Sequence, residues 1–275
     1  MKIIAGIIVF EEEDFIRETL TNLYLLCDKI IIVEGAHESV TSINNIKRSQ
    51  DNTIQYIKDF DDPENKIEYY EYNGISQGDH RNFALQKAVI HKPDWYLQGD
   101  GDEIFHEKGI EPFKKFLKTT KENSINPVHK LFWNDLMHYE YWTPTSRFFK
   151  LTDLDLNKVV CPANFKNDLL YDGKIYFNHH ETDIIYIYHP SYCKNNERQL
   201  IKWKHRAIDD KIKFPHIIHE NGLISRNVPN IFVWKSNLMQ CPHEDLPKCL
   251  QSHPRAGIST LWFYFLRTGF EIKNE

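Results

Sequence analysis

The first hundred residues alternate between two hydrophobic periodicities, and this alternation restricts the possible folds more than any other feature. Continuous apolar runs of strand length are followed by segments whose apolar residues recur at helical spacing. Strand-like runs lie at residues 3–10, 29–33, 54–57, 67–72 and 95–98, and helical spacing occurs at 12–27, 39–47 and 76–90. Short apolar strands separated by helices predict an α/β fold with a mostly parallel, doubly wound, Rossmann-like sheet and helices on both faces.

The second part of the chain has a different pattern. Helices are predicted at 111–121 and 195–208, and short strand-like pieces at 128–133, 138–142, 147–151, 174–177 and 184–188. Closely spaced short strands of this kind predict antiparallel pairs, so the second half is expected to be mixed. The predicted organisation is one domain over 1–214, with halves 1–105 and 106–214, followed by a C-terminal helical appendage over 215–275.

Composition excludes several classes of protein. A chain of 275 residues with 41% hydrophobic residues can bury a large core, and a net charge of −5 gives no overall basic footprint for nucleic acid. The five cysteines are widely spaced without a CxxC pair, which disfavours a disulfide scaffold or structural zinc and favours a reducing, cytoplasmic setting.

No targeting or membrane segment is predicted. The start of the chain, MKIIAGIIVFEEEDF, lacks the small-residue cleavage site of a signal peptide. No apolar run approaches the ~18–20 residues that cross a bilayer. The apolar segment ISTLWFYFLRTGF, residues 258–270, is too short to span and is interpreted as a core helix or a surface-docking segment.

Three carboxylates follow the apolar run at 95–98, in the stretch WYLQGDGDEIF: Asp100, Asp102 and Glu103. In doubly wound sheets, ligands bind outside the carboxyl ends of the strands. If the segment is extended, Asp100 and Asp102 point to the same side, and Gly101 lets the backbone approach a ligand. Oxygen ligands suit Mg²⁺ or Mn²⁺, so the cluster predicts a divalent-metal site. The alternative is a solvated turn, because Asp and Gly are common turn residues.

Four stretches follow one another over the first 105 residues: IIAGIIVFEEEDFIRETLTNL, DKIIIVEGAHESVTS, QGDHRNFALQKA and WYLQGDGDEIF. This ordered set resembles the family-2 glycosyltransferases with a GT-A fold, and most closely the small intracellular branch related to lipopolysaccharide core transferases. The family pattern has Asn-Glu-Glu after the first strand, Asp after the second, an Arg-Asn-x-Ala-Leu helix and an Asp-x-Asp-Glu (DxD) motif. Here Glu11 replaces the Asn and Glu34 replaces the Asp.

The resemblance implies roles for residues of the nucleotide-binding half, 1–105. Phe10 would line the base pocket, and Glu34 would accept hydrogen bonds from the base or ribose. Arg81 would reach the nucleotide, for which a planar cation is suited. Without the resemblance, Glu34 and Arg81 would be interpreted as exposed charges on a strand end and a helix.

The resemblance also divides the acidic cluster. Asp102 would be the main metal ligand, and Asp100 would lie near the ribose or the metal. Glu103 is expected to hold the loop by accepting backbone hydrogen bonds.

The acceptor-binding half, 106–214, carries a second set of implied residues in YFNHHETDIIYIYHPSYCKNNERQLIKWKHR. The related core transferases have a His-Glu pair, an apolar strand, Ile-x-His and a basic helix in this order. His189 would then be the third metal ligand, since imidazole binds Mn²⁺ well. Lys202 or Lys204 would contact the diphosphate. The alternatives are a polar strand end for His189 and a solvated helix face for the lysines.

Transfer to a hydroxyl also requires a general base. The resemblance makes Glu181 the candidate, with Asp135 and Glu140 as rivals. Glu181 is alternatively the ion-pair partner of a neighbouring His or Lys.

The resemblance thus implies a metal-dependent, inverting hexosyltransferase that uses Mn²⁺ or Mg²⁺. It would move a sugar from a nucleotide diphosphate-sugar, most commonly a UDP-sugar, to a glycan, lipid-linked or protein acceptor. A nucleotidyltransferase is the second hypothesis, but its usual glycine-rich, basic first loop is FEEEDF here. The third is a non-catalytic module that binds nucleotide or carbohydrate.

Overall fold

The computed structural model describes residues 1–38, 41, 45–133, 135–142, 146–162, 169–193, 216–218, 224–226, 239–254 and 256. The predicted helix at 195–208 and the apolar segment 258–270 lie outside the described residues, and so does most of the predicted helix at 39–47. No helix in the described ranges has the length and apolar content needed to cross a bilayer. No disulfide joins the five cysteines, all of which are described.

The strands of the described chain are β1 (Ile3–Val9), β2 (Lys29–Glu34), β3 (Ile67–Glu71), β4 (Trp95–Asp100), β5 (Ile104–Phe105), β6 (Ser124–Trp133), β7 (His138–Trp142), β8 (Phe148–Lys150), β9 (Val159–Val160), β10 (Leu170–Tyr171), β11 (Lys174–Ile175), β12 (His179–Tyr192), β13 (His216–Ile218), β14 (Ile224–Arg226) and β15 (Met239–Gln240). The main sheet has the order β15-β7-β6-β8-β4-β1-β2-β3, with β12 beside β6 and β5 beside β12. Strands β9, β10 and β11 form a small separate sheet, and β13 pairs with β14.

One half of the main sheet is parallel, as predicted. Strand β1 lies between β2 and β4, and β3 extends the sheet beyond β2, all in parallel register. The central strand reads IIAGIIV and is almost wholly buried, as expected for a parallel strand covered on both faces. The carboxyl ends of β1, β2 and β4 therefore meet at one edge, where Glu34 and Asp100 end their strands.

The other half is mixed, also as predicted. Strand β8 is antiparallel to both β4 and β6, so β6 runs in the same direction as β4. Strand β12 is parallel to β6. The carboxyl ends of β6 and β12 consequently point towards the same edge as the end of β4, which brings the two halves of the chain together there.

The helices are α1 (Ile16–Leu26), α2 (Thr53–Lys58), α3 (Gln77–Val89), α4 (Glu107–Thr119) and α5 (Lys248–Gln251). Helices α1 and α4 pack on one face of the sheet, with Leu20 and Phe113 in the same core cluster as Ile7. Helix α3 packs on the opposite face, with Leu85 against Ile4. Adjacent β1 residues thus enter opposite cores, and the predicted doubly wound α/β class is confirmed.

The structure differs from the sequence prediction at residues 54–57, and it describes only part of the predicted C-terminal appendage. Residues 54–57, predicted as a strand, belong to helix α2, because Thr53 and Ile57 are one turn apart and both are buried. The described part of 215–275 contains the short helix α5, the hairpin of β13 and β14, and β15, which pairs with β7. The helical appendage and the boundary at 214 stay predictions.

Candidate active site at the carboxyl edge of the sheet

The acidic stretch at the end of β4 is a buried turn. The amide of Gly101 donates to the carbonyl of Ile8 at 3.1 Å, and the amide of Glu103 donates to the carbonyl of Asp100 at 3.3 Å. The extended geometry assumed for Asp100 and Asp102 is therefore wrong. Because the chain turns between them, the two carboxylates make different contacts.

Asp100 pairs with an arginine of helix α3. Nη2 of Arg81 donates to Oδ1 of Asp100 at 2.7 Å, and the Arg81 side chain is only 2% exposed. Nη1 of Arg81 is buried without a hydrogen-bond partner among the described residues. A buried guanidinium with an unsatisfied donor is suited to an anionic ligand. Arg81 thus reaches the predicted edge, but through Asp100.

Glu103 pairs with Arg147, which precedes β8. Nε of Arg147 lies 3.0 Å from each Glu103 carboxylate oxygen, and both side chains are buried. Burial alone would raise the pKa of Glu103, but the charge of Arg147, together with His129, holds this pKa well below its usual range. The Asp100 amide also approaches Oε2 of Glu103 at 3.4 Å. The scaffold role expected for Glu103 thus depends chiefly on Arg147.

Asp102 pairs with His189. Oδ1 of Asp102 lies 3.2 Å from Nε2 of His189 on β12, and both residues are more than nine-tenths buried. One residue comes from the end of β4 and the other from the acceptor-side half of the chain. The structure therefore brings together the carboxylate and the imidazole that the sequence singled out as metal ligands.

An aromatic and histidine group extends from this pair across the sheet. The ring of Trp142 stacks on His189 at a centroid distance of 6.1 Å, and it meets the ring of His129 edge-on at 5.8 Å. His129 is fully buried, with Nδ1 2.9 Å from the carbonyl of Pro127 and Nε2 3.5 Å from Glu103. Burial lowers the pKa of His129. The side chains on one face of β6, β7 and β12 thus form a contiguous set of contacts with the acidic turn.

The Asp102 carboxylate and the His189 imidazole have a separation that fits a divalent cation. Two ligands at right angles on one octahedral ion, each about 2.1 Å away, lie about 3 Å apart, close to the Asp102–His189 separation. A carboxylate oxygen with an imidazole nitrogen suits Mn²⁺. Within the described ranges, no group of three or more His, Cys, Asp or Glu side chains is arranged to hold a metal. Asp100, predicted as a further ligand, accepts from Arg81, and its role as a metal ligand stays a prediction.

The three carboxylates considered as bases lie in different surroundings. Asp135 is buried, and its Oδ1 accepts from the amides of Met137 and His138 at 2.9 and 3.0 Å. Glu181 is exposed on β12, eight positions before His189. Because β12 bulges between Thr182 and Tyr186, the partners of Glu181 and His189 on β6 are five residues apart, which corresponds to roughly 17 Å along the strand. The structure does not bring Glu181 to the edge where His189 lies.

Glu140 lies on the face of the sheet that carries His189. In the register, Leu131 is opposite both His189 and Glu140, so all three share one face. Glu140 is half-buried and two residues before Trp142 on β7. Two strand spacings place its backbone about 10 Å from that of His189.

The predicted nucleotide pocket is partly closed by the protein itself. Glu34 is fully buried, where Oε1 accepts from the amide of Ser49 at 2.7 Å and Oε2 from the hydroxyl of Tyr69 at 3.4 Å. Half-buried Phe10 directly follows β1 and precedes Glu11, whose φ of 56° is left-handed. Asn adopts this conformation more readily than Glu does. Lys202 and Lys204 lie outside the described residues.

Sequence reasoning missed Arg147, His129 and Trp142. Arg147 adjoins the apolar strand residues of β8, and a charge beside a buried strand was the available signal. Its partner is 44 positions away, so no local spacing indicated the pair. His129 and Trp142 sit in predicted strands, where their alternation on one face becomes visible once the register is known.

The chain has distant structural likenesses. No protein-family model matches it, and no curated protein does. A structure of S. aureus TarS 1-349 in complex with UDP-GlcNAc is 16% identical with a TM-score of 0.47, over 76% of this chain and 68% of that one. A second TarS structure is 13% identical with a TM-score of 0.47, over 77% of this chain and 39% of that one. The 4-diphosphocytidyl-2C-methyl-D-erythritol synthase from Anaerococcus prevotii is 17% identical with a TM-score of 0.34, over 54% of this chain and 70% of that one. Likeness at this level concerns the fold and carries no argument about function.

Proposed function

We propose that the protein is a metal-dependent, inverting glycosyltransferase that moves a hexosyl group from a UDP-sugar to an acceptor hydroxyl. The observation that carries the proposal is the Asp102–His189 pair, 3.2 Å apart at the carboxyl edge of the sheet. Ligands of open α/β sheets bind at this edge, and the motif resemblance assigns a nucleotide-sugar to it. The acceptor is a glycan, a lipid-linked molecule or a protein.

Asp102 and His189 would hold Mn²⁺ or Mg²⁺. When bound, the ion acts as a Lewis acid that stabilises the charge developing on the leaving diphosphate. Arg81 supports this role from helix α3, since its unsatisfied Nη1 is available to a phosphate oxygen. Lys202 and Lys204 are the further diphosphate contacts proposed from the sequence alone.

The buried pair of Glu103 and Arg147 keeps the acidic turn in place. Arg147 neutralises Glu103 and lies 3.9 Å from Asp100, so two arginines offset two of the three carboxylates. Asp102, the third acid, faces His189. Phe10 and Glu34 shape the nucleotide side, and Glu34 does so by fixing the segment that contains Ser49.

The base is proposed among the carboxylates at this edge. Glu140 is favoured because it shares the sheet face of His189 and is only half-buried. Asp135 would first have to release its hydrogen bonds to Met137 and His138, and Glu181 lies at the far end of β12. The base takes the acceptor proton while the acceptor oxygen bonds to the anomeric carbon and the diphosphate leaves with its electron pair, which inverts that carbon.

The test is release of UDP from a panel of UDP-sugars by the full chain, with Mn²⁺ or with EDTA. We expect release with Mn²⁺, and a loss of roughly 100-fold in Asp102→Asn, because metal stabilisation of the transition state contributes several kcal/mol. Asp172→Asn, an exposed acid of the small sheet at a left-handed φ that Asn tolerates, is the matched control.

Equal release in EDTA would contradict the metal role. Release of pyrophosphate from UTP, with no UDP from any donor, would indicate a nucleotidyltransferase. Nucleotide binding without any turnover would indicate a binding module.

A further inference from the structure

We infer that Trp142 is the platform of a subsite for a pyranose ring of the acceptor, with Glu140 beside it. The inference deepens the proposed function, on which it rests, by naming the substrate class at one position of the site. The first observation that supports the inference is the exposure of Trp142. The Trp142 side chain is 38% exposed, whereas His129 and His189, which its ring contacts, are buried. A large apolar ring left open beside a buried polar group is typical of ligand sites.

The direction of the ring is set by the strand register. Trp142 is opposite His129 in the pairing of β6 with β7, and its ring contacts both histidines of the site face. Tyr141 is the next residue back and is also exposed, but its ring contacts Tyr139 and Tyr186 on the opposite face. Successive strand residues alternate between faces, so only Trp142 opens towards the site.

The chemistry around Trp142 suits a sugar better than an apolar ligand. A pyranose has an apolar C–H face, which an indole covers, and hydroxyls around its rim, which need polar partners. Glu140 is two residues away on the same face, about 6.6 Å along the strand, and its carboxylate accepts from hydroxyls. An apolar ring with a carboxylate beside it on the same face matches both parts of a pyranose.

The position favours the acceptor over the donor sugar. Asp102 and His189 are the proposed diphosphate end of the site. Trp142 lies on β7, which is separated from β12 by β6, whereas β5, which follows the acidic turn, pairs with the other edge of β12. Glu140, the favoured base, is also on β7. A ring stacked on Trp142 would place its hydroxyls next to the group that must deprotonate one of them.

The experiment is saturation-transfer NMR on the full chain with UDP, Mg²⁺ and a panel of methyl glycopyranosides. Wild type should transfer saturation to at least one glycoside. The signal should fall by about five- to tenfold in Trp142→Ala, as expected for loss of one aromatic stacking contact, and Trp142→Phe should keep most of it. Tyr141→Ala is the matched control and should leave the signal unchanged.

Three outcomes would overturn the inference. Equal signals in Trp142→Ala and Tyr141→Ala would show that the indole is not the platform, and the absence of signal from every glycoside would show that no such subsite exists. A loss of affinity for UDP-sugar but not for UDP in Trp142→Ala would place the donor sugar there instead. Glycoside contact needs no turnover, so a Trp142-dependent signal in a protein that releases no UDP would support the subsite and refute only the transferase.

Discussion

The contacts of single charged residues decide whether an acidic turn can be buried at the end of β4. Repulsion among Asp100, Asp102 and Glu103 disfavours the turn, and burial adds the cost of removing carboxylates from water. Arg81 and Arg147 offset this cost at two of the three acids. The local sequence shows the repulsion but neither arginine, because both come from elsewhere in the chain.

Removing Arg147 is expected to destabilise the protein strongly. Arg147→Met leaves Glu103 buried and without its main counter-charge, which costs about 3–5 kcal/mol of unfolding free energy. Urea unfolding at neutral pH measures this loss. The double variant Arg147→Met, Glu103→Gln is the control and should recover much of it, since the uncompensated charge is gone. A single variant within 1 kcal/mol of wild type would contradict the account.

His80 is expected to make stability depend on pH. It is buried in helix α3 and its Nε2 accepts from the amide of Gly74 at 3.0 Å. Burial, assisted by His37, lowers the pKa of His80 to about 4. Because the folded pKa lies below the unfolded value of about 6.5, protonation favours the unfolded chain, and stability is lost as pH falls from 6.5 towards 4.

The His80→Gln variant isolates this effect. Gln keeps an acceptor for Gly74 but does not titrate. Between pH 7 and pH 4.5, wild type should lose about 2 kcal/mol more unfolding free energy than the variant. Parallel pH profiles of the two proteins would show that His80 does not contribute.

At the level of elements, periodicity predicted where strands lie better than it predicted which residues contact one another. The buried run of β1 and the alternation in β7 were sufficient to place those strands. Residues 54–57 were assigned wrongly because a four-residue apolar run fits a strand and one helical turn equally well. Among the proposed site residues, Asp102 and His189 were singled out through motif order, and the structure places them 3.2 Å apart. Arg147 was not singled out, since a contact between residues 44 apart leaves no local pattern.

The N-terminus of helix α3 matters for the site, because this helix carries Arg81 in its second turn. Ser76 accepts from the amide of Asp79, and Asp79 accepts from the amide of Ser76, in a capping box. Ser76→Ala should cost about 1 kcal/mol of unfolding free energy. Gln77→Ala, an exposed substitution at the next position, is the control and should stay near wild type. Equal effects of the two changes would argue against the cap.

At the level of the whole molecule, the site depends on both halves of the chain. Asp102 ends the parallel half, whereas His189 belongs to β12 in the mixed half. The two groups are distant in sequence and meet only when the sheet is complete. A ligand that needs both will therefore bind the folded protein and not the unfolded chain, and its binding free energy will add to global stability.

The most direct test of the central claim is the melting temperature with UDP, in Mn²⁺ and in EDTA. With UDP and Mn²⁺ at about 100 times the dissociation constant, binding adds about 2.7 kcal/mol, or about 5–10 °C for a chain of this size. We predict this rise for wild type and Asp172→Asn in Mn²⁺, and little rise in EDTA or in Asp102→Asn. An equal rise in Mn²⁺ and EDTA, or a full rise in Asp102→Asn, would contradict the proposal that Asp102 and His189 hold the metal of a nucleotide-diphosphate site.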